Sequence, residues 1–277
     1  MKKLIKYTCF LLLISLLIPF TLAQDETEYE HPGENIALYE VDEEGNLILI
    51  EGEELEDHYD IWAVILLLTP QEYLLTRVHT FRAFDDLETL GAVFDHGQND
   101  WEFSMDTEPE DGYDDIPYTI IHEFAHILSF DTDTYTAFTP DQDVEAAFAA
   151  CVGTIVFEGC LMPESYMAQF VTEFYDTQSD LYQQFIYGED PSLLQQLYEQ
   201  NPDAYVSEYA ATNPDEDFAE SFAHFIVLTE EEAEEYPTGQ EKILWFYDQP
   251  DLVEIRDLII QNAIDNEIEL LMIDYGD

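Results

Sequence analysis

Residues 122–126 read His-Glu-Phe-Ala-His. Two imidazoles four residues apart lie on one face of a helix, and each can direct a ring nitrogen at one metal ion. Glu123 stands one step round that helix, beside the metal rather than on it, where a carboxylate can take a proton from a water. Ile120, Ile121, Phe124, Ala125, Ile127 and Leu128 surround the motif, so the helix is expected to be largely buried. Two imidazoles and a carboxylate buried there without partners would be costly.

A zinc site built on this motif needs a third protein ligand and an open position for water. The helix does not continue into a third histidine three turns on. Asp131 and Asp133 follow closely and remain open as ligands. Further on, residues 207–222 read Ser-Glu-Tyr-Ala-Ala-Thr-Asn-Pro-Asp-Glu-Asp-Phe-Ala-Glu-Ser-Phe. Asn213 suits an N-cap and Pro214 a first helical position. Phe218, Ala219, Phe222 and Ala223 then form a core-facing stripe, while Glu216, Glu220 and His224 recur every fourth residue as a polar row. By itself, a glutamate in so acidic a chain reads as surface.

Taken together, HEFAH and the later Y-A-x-T-N-P-x-E-D-F-A-E-S-F resemble the lethal-factor-like zinc metallopeptidases, a branch of the glutamate-ligand zincins (gluzincins). The resemblance covers about 60–130 and 205–228. It implies a zincin-like fold, one catalytic Zn2+ and hydrolysis of a protein or peptide substrate. It puts Glu216 on the third metal ligand beside His122 and His126. It puts Tyr209 on the tyrosine that stabilises the oxyanion, and Glu220 on a carboxylate that orients a ligand histidine. Glu123 is then the general base. Residues 131–204 depart from the family as a mostly helical insert. The competing reading is a cell-surface binding module, either an inactive zincin scaffold or an acidic cation-binding protein. An intact Glu123 argues against the first, and Asp131-Thr132-Asp133 lacks the glycine of an EF-hand loop.

The elements around these motifs follow from pattern. Asn35–Val41 and Asn46–Ile50 flank Asp42-Glu43-Glu44-Gly45 as a hairpin. A helix over Leu55–Leu68 ends at Pro70. Strand-like runs follow at Leu74–Phe84, Leu90–Phe94 and Trp101–Met105, the last alternating as a half-buried strand and expected at the sheet edge beside the cleft. Asp115 is expected to cap a helix over about 117–128. Helical patterns follow at Val144–Ala150, Tyr166–Ile186, Pro191–Gln200, Pro214–Leu228 and Leu252–Ile264, and Glu230–Glu235 reads as a solvated turn. Strands grouped before helices point to an α+β class. The division expected is a signal peptide at 1–23, an acidic N-terminal extension at 24–52, and a zincin-like domain at 53–277 carrying the insert 131–204.

Lys2, Lys3 and Lys6 precede an apolar run from Cys9 to Ala23, which reads as a secretion signal, with an uncleaved anchor as the alternative. The chain is therefore expected outside the cell, where Cys151 and Cys160 would form a disulfide. Beyond the signal stand all 63 acidic side chains and only four basic ones, Arg77, Arg82, Lys242 and Arg256. Such a surface repels nucleic acid and anionic membranes and suits high salt (a halophilic coat) or low pH. An apolar fraction of 47% argues against a disordered polyanion. His31, His58, His79, His96 and His224 receive no role.

Overall fold

The computed structural model describes residues 31–97, 99–109, 112–131, 134–137, 144–156, 159–186 and 193–272. The signal-like segment 1–23 and the start of the extension lie outside them. The class is mixed α+β, a small mixed sheet accompanied by many helices. Among the described residues, no helix is long and apolar enough to cross a membrane.

The chain opens with the hairpin β1 (Glu34–Val41) and β2 (Leu47–Gly52). Asp42 closes its turn by accepting the backbone N–H groups of Glu44 and Asn46, and Gly45 takes the positive φ the reversal requires. Helix α1 (Glu56–Leu68) and the single turn α2 (Gln71–Leu74) follow. The turn takes the first residues of the run expected as a strand, so β3 begins only at Val78 and ends at Asp85. Next come β4 (Gly91–Asp95) and β5 (Trp101–Asp106).

These five strands form one sheet in the order β2-β1-β3-β5-β4, parallel between β3 and β5 and antiparallel elsewhere. Two expectations for Trp101–Met105 are corrected. The edge strand is β4, and β5 lies inside it. Nor is β5 half-buried, since Glu102 and Ser104 are as hidden as Trp101, Phe103 and Met105. Burial of Glu102 is compensated by Arg82, which donates to it at 2.6 and 3.1 Å, and by Ser104 at 2.9 Å.

Helix α3 (Ile116–Ser129) packs against the edge strand β4 and helix α1. Asp115 stands at its N-cap, but its side chain caps nothing; the Asp115 carbonyl accepts from the Thr119 backbone and hydroxyl instead. The described part of the insert carries a small sheet besides its helices. Strands β6 (Tyr135–Ala137), β7 (Thr154–Ile155) and β8 (Gly159–Leu161) make a second sheet in the order β6-β8-β7, with α4 (Val144–Ala150) between the first two. The Cys151–Cys160 disulfide is formed, with Cα atoms 5.6 Å apart. The single helix expected over Tyr166–Ile186 is two, α5 (Tyr166–Phe174) and α6 (Asp180–Ile186), followed by α7 (Leu193–Gln200).

Helix α8 (Pro214–Val227) packs along α3. Its Phe218 and Phe222 meet Phe170, Phe246 and, through Phe222, Phe124 of α3. The acidic run read as a turn is a short helix, α9 (Glu230–Glu234), because Thr229 and Glu232 form a reciprocal capping box. Helices α10 (Gln240–Tyr247) and α11 (Pro250–Asp265) close the fold.

Candidate metal centre

Helix α3, which carries the two histidines, is held at one end. At its C-terminal end the Tyr73 hydroxyl donates to Asp131 at 3.0 Å and lies 3.4 Å from the Ile127 carbonyl. Arg77 also pairs with Asp131 and stacks 3.6 Å over the Tyr73 ring. Asp131, open as a ligand from sequence, is thus tied to Arg77 and Tyr73, and Asp133 lies outside the described residues. On α8, Asn213 accepts the backbone N–H of Glu216 at 2.7 Å. This N-cap fixes the backbone of the residue that must reach the site. At the other end, Arg256 donates to the carbonyls of Phe225 and Leu228 at 2.7 and 2.6 Å.

The two helices bring His122, His126 and Glu216 together. Nε2 of His122 lies 3.0 Å from Oε2 of Glu216 and 3.1 Å from Nε2 of His126, and the third side of this triangle is 3.4 Å. Tetrahedral coordination at about 2.0–2.1 Å places neighbouring ligand atoms about 3.3 Å apart. The triangle fits that edge, and the donor set of two imidazoles and one carboxylate suits zinc. Among the described residues this is the one group of three or more such side chains close enough to hold a metal ion.

Behind the triangle stands Glu220, fully buried. Its Oε1 accepts from Nδ1 of His122 at 3.0 Å and from the Tyr118 hydroxyl at 3.3 Å, and its Oε2 accepts from Ser207 at 2.8 Å. A carboxylate accepts only, so Glu220 holds a proton on Nδ1 of His122 and leaves Nε2, which faces Glu216 and His126, as the nitrogen that would bind a metal. This is the arrangement a metal-bound imidazole needs. His224, the third member of the polar row, touches the Tyr118 hydroxyl at 3.0 Å and the Glu220 carbonyl at 2.8 Å through Nδ1. It supports Glu220 and does not reach the triangle.

The electrostatics reflect crowding of charge in a buried site. Burial alone would depress His122, but Glu216 and Glu220 outweigh it and hold the imidazole well above its ordinary value. Burial would raise Glu216, yet His126 and His122 hold it well below the usual carboxylate range. Glu123 is pushed up by burial, with His122 and His126 opposing. The Tyr209 hydroxyl is raised far above 10 by burial and then by the charges of Glu216 and Glu123. Such a phenol stays protonated and is a hydrogen-bond donor.

Glu123 and Tyr209 flank the triangle. The Tyr209 ring centroid is 5.8 Å from that of His122, and its hydroxyl feels the charge of the Glu216 carboxylate. Glu123 lies under the edge strand β4, where Gly91 permits close approach. A Cβ on Gly91 would fall 3.0 Å from Cγ of Glu123 and 2.7 Å from Cγ2 of Thr119.

Sequence reasoning missed Tyr118, Ser207 and the Asp217–Lys242 pair. Asp217 is next to Glu216 but is turned into the core, where Lys242 meets it at 2.5 Å and Tyr175 at 2.7 Å. The Lys242 ammonium also sits 3.7 Å over the Tyr205 ring. Scarcity of cations was the available signal: each of Arg77, Arg82, Lys242 and Arg256 makes an internal contact. The remaining histidines lie elsewhere. His58 bonds to Tyr39 at 2.7 Å, His31 and His96 stand 3.2 and 4.0 Å from Glu102, and His79 pairs with Asp100.

Comparison with curated proteins and with solved structures finds no match. Residues 151–267 match the model of a family described as "Putative zinc-binding metallo-peptidase". The matched stretch holds Tyr209, Glu216 and Glu220, and the histidine motif lies before it. In the part that supplies the third corner of the triangle, the chain is therefore similar to zinc-binding metallopeptidases.

Proposed function

We propose that this chain is an exported zinc-dependent endopeptidase of the lethal-factor-like kind, with His122, His126 and Glu216 as metal ligands and Glu123 as general base. The observation that carries the reading is the triangle of three ligand atoms from α3 and α8, backed by the Glu220 contact to His122. The similarity of residues 151–267 to a zinc-binding metallopeptidase family supports it independently. Export rests on the sequence of residues 1–23.

Zinc held there would acidify a water and polarise the scissile carbonyl. Glu123 takes the proton of the attacking water and returns it to the leaving amine. Its raised affinity for protons suits that double duty. The Tyr209 hydroxyl donates to the carbonyl oxygen as it gains negative charge. Glu220 fixes the His122 ring throughout. Strand β4, an edge of the sheet among the described residues, runs beside Glu123 and offers a strand-pairing surface to an extended peptide.

The test is cleavage of a mixed peptide library by the purified protein, with and without chelator and after zinc is restored. Cleavage that is lost with the metal and regained with zinc is expected. Cleavage unaffected by chelation would remove the reading. Glu216→Ala should lose both zinc and activity. A Glu216→Ala protein that keeps zinc while Glu220→Ala loses it would move the third ligand to Glu220.

A further inference from the structure

We propose that the Ser207 hydroxyl is a positioning group that fixes the ligand His122 and the oxyanion donor Tyr209 relative to each other, acting through Glu220. For Tyr209 the inference rests on the metallopeptidase reading above; for His122 it rests on geometry alone.

Ser207 uses its hydroxyl in both directions. It donates to Oε2 of Glu220 at 2.8 Å and accepts the backbone N–H of Ala210 at 2.9 Å. The second bond closes a short turn over residues 207–210, and Tyr209 lies inside that turn. Two more bonds brace it: the Tyr209 carbonyl accepts from the Thr212 backbone at 2.9 Å and from the Thr212 hydroxyl at 2.8 Å. The first bond anchors the turn to the carboxylate whose other oxygen holds His122. One buried carboxylate therefore carries the metal ligand on one oxygen and the tyrosine's turn on the other. Losing the hydroxyl leaves Oε2 of Glu220 without that donor in a fully buried site, and frees the Ala210 N–H. Losing a hydrogen bond to a buried carboxylate is costly, so Glu220 is expected to shift and to take the His122 ring with it.

A merely structural serine would change stability and leave the site's properties alone. Two readouts separate the cases in the full chain. The first is zinc affinity by chelator competition. Ser207→Ala should bind zinc about 10-fold more weakly, the low end of losses seen when a ligand's supporting partner is removed. Ser207→Thr, which keeps the hydroxyl, should bind as the parent does. The second is kinetic. Ser207→Ala should lower kcat about 10-fold with KM unchanged, and the same change should cost much less in a Tyr209→Phe background. If Ser207→Ala does not fold, Ser207→Cys keeps the volume with a weak donor and should show the same zinc loss.

Parent-like zinc affinity in a folded Ser207→Ala protein would overturn the proposal. So would failure of Ser207→Thr to restore affinity, or equal kcat losses with and without the Tyr209 hydroxyl. If the parent cleaves no peptide, the peptidase reading falls, while the zinc series still decides what Ser207 does for His122.

Discussion

His122 and Glu220 are 98 residues apart in the chain, and Nδ1 of one donates to Oε1 of the other at 3.0 Å. This contact joins α3 to α8 at the level of the ligand triangle. It holds a proton on Nδ1 of His122, so Nε2, the nitrogen facing Glu216, is the one that would bind a metal. Glu220→Gln keeps the volume but replaces a charged acceptor with a neutral amide. Zinc affinity should fall about 10- to 100-fold, as for other supporting partners of metal-bound imidazoles, with secondary structure retained. Chelator competition followed by circular dichroism measures both, and unchanged affinity would deny Glu220 its orienting role.

Gly91 gives a sharper test of how Glu123 is placed. Alanine there puts a methyl group 2.7 Å from Thr119 and 3.0 Å from Cγ of Glu123, so the glutamate or the strand must move. Displacements near 1 Å at a reacting group cost up to about 100-fold in rate. Gly91→Ala should therefore lose at least about 10-fold in kcat while holding a full complement of zinc. Wild-type kcat in that variant would separate Glu123 from the edge strand.

The Asp217–Lys242 pair is a stability element next to Glu216. Lys242→Met leaves the Asp217 carboxylate buried without its cation, a change that costs about 3–5 kcal/mol in comparable buried pairs. The loss should shrink on acidification. Burial already pushes Asp217 upward against the pull of Lys242, so without the lysine it protonates more readily and becomes neutral. Urea unfolding at pH 7 and pH 5 measures this; equal losses at both would show that the pair is not the cause.

Acidity itself makes a further prediction. With 63 acidic side chains in the chain, melting temperature at pH 7 should rise with added salt as like charges are screened. Lowering the pH should also stabilise at first. Burial raises Asp95 and Asp106, so the folded state binds their protons more tightly and gains stability as pH falls through those raised values. Glu102 runs the other way. Burial would raise it, but Arg82 holds it low, so its contribution is present above its ordinary value and lost as pH falls below about 4. Calorimetry from pH 7 to 3 should show a rise and then a turnover. A melting temperature indifferent to both salt and pH would contradict this account.

Much of this site could be read from residue types because helical period alone aligns His122 with His126, and Asn213-Pro214 announces the start of α8. Distance 94 residues away in sequence could not be read that way. The convergence of Glu216 on His122 depends on α3 and α8 packing through Phe124 and Phe222, which no local pattern records. The same limit explains Trp101–Met105. Its alternation is real, yet both faces are covered, because Arg82 and Ser104 satisfy Glu102 from within the sheet. The small sheet in the insert escaped notice because strands of two or three residues carry no periodic signal. Glu230–Glu234 looked like solvated charge until the reciprocal Thr229–Glu232 cap is considered. Ser207 and Tyr118 were invisible for another reason: a lone hydroxyl gains meaning only from the buried carboxylate it meets.

The central claim is that a metal centre on α3 and α8 hydrolyses peptides with Glu123 as the base, and Glu123→Gln tests it most directly. The substitution removes the base and leaves all three ligand side chains. The variant should bind zinc as the parent does and cleave a parent substrate at least about 100-fold more slowly. A zinc-loaded Glu123→Gln protein that cleaves that substrate at the parental rate would contradict the account.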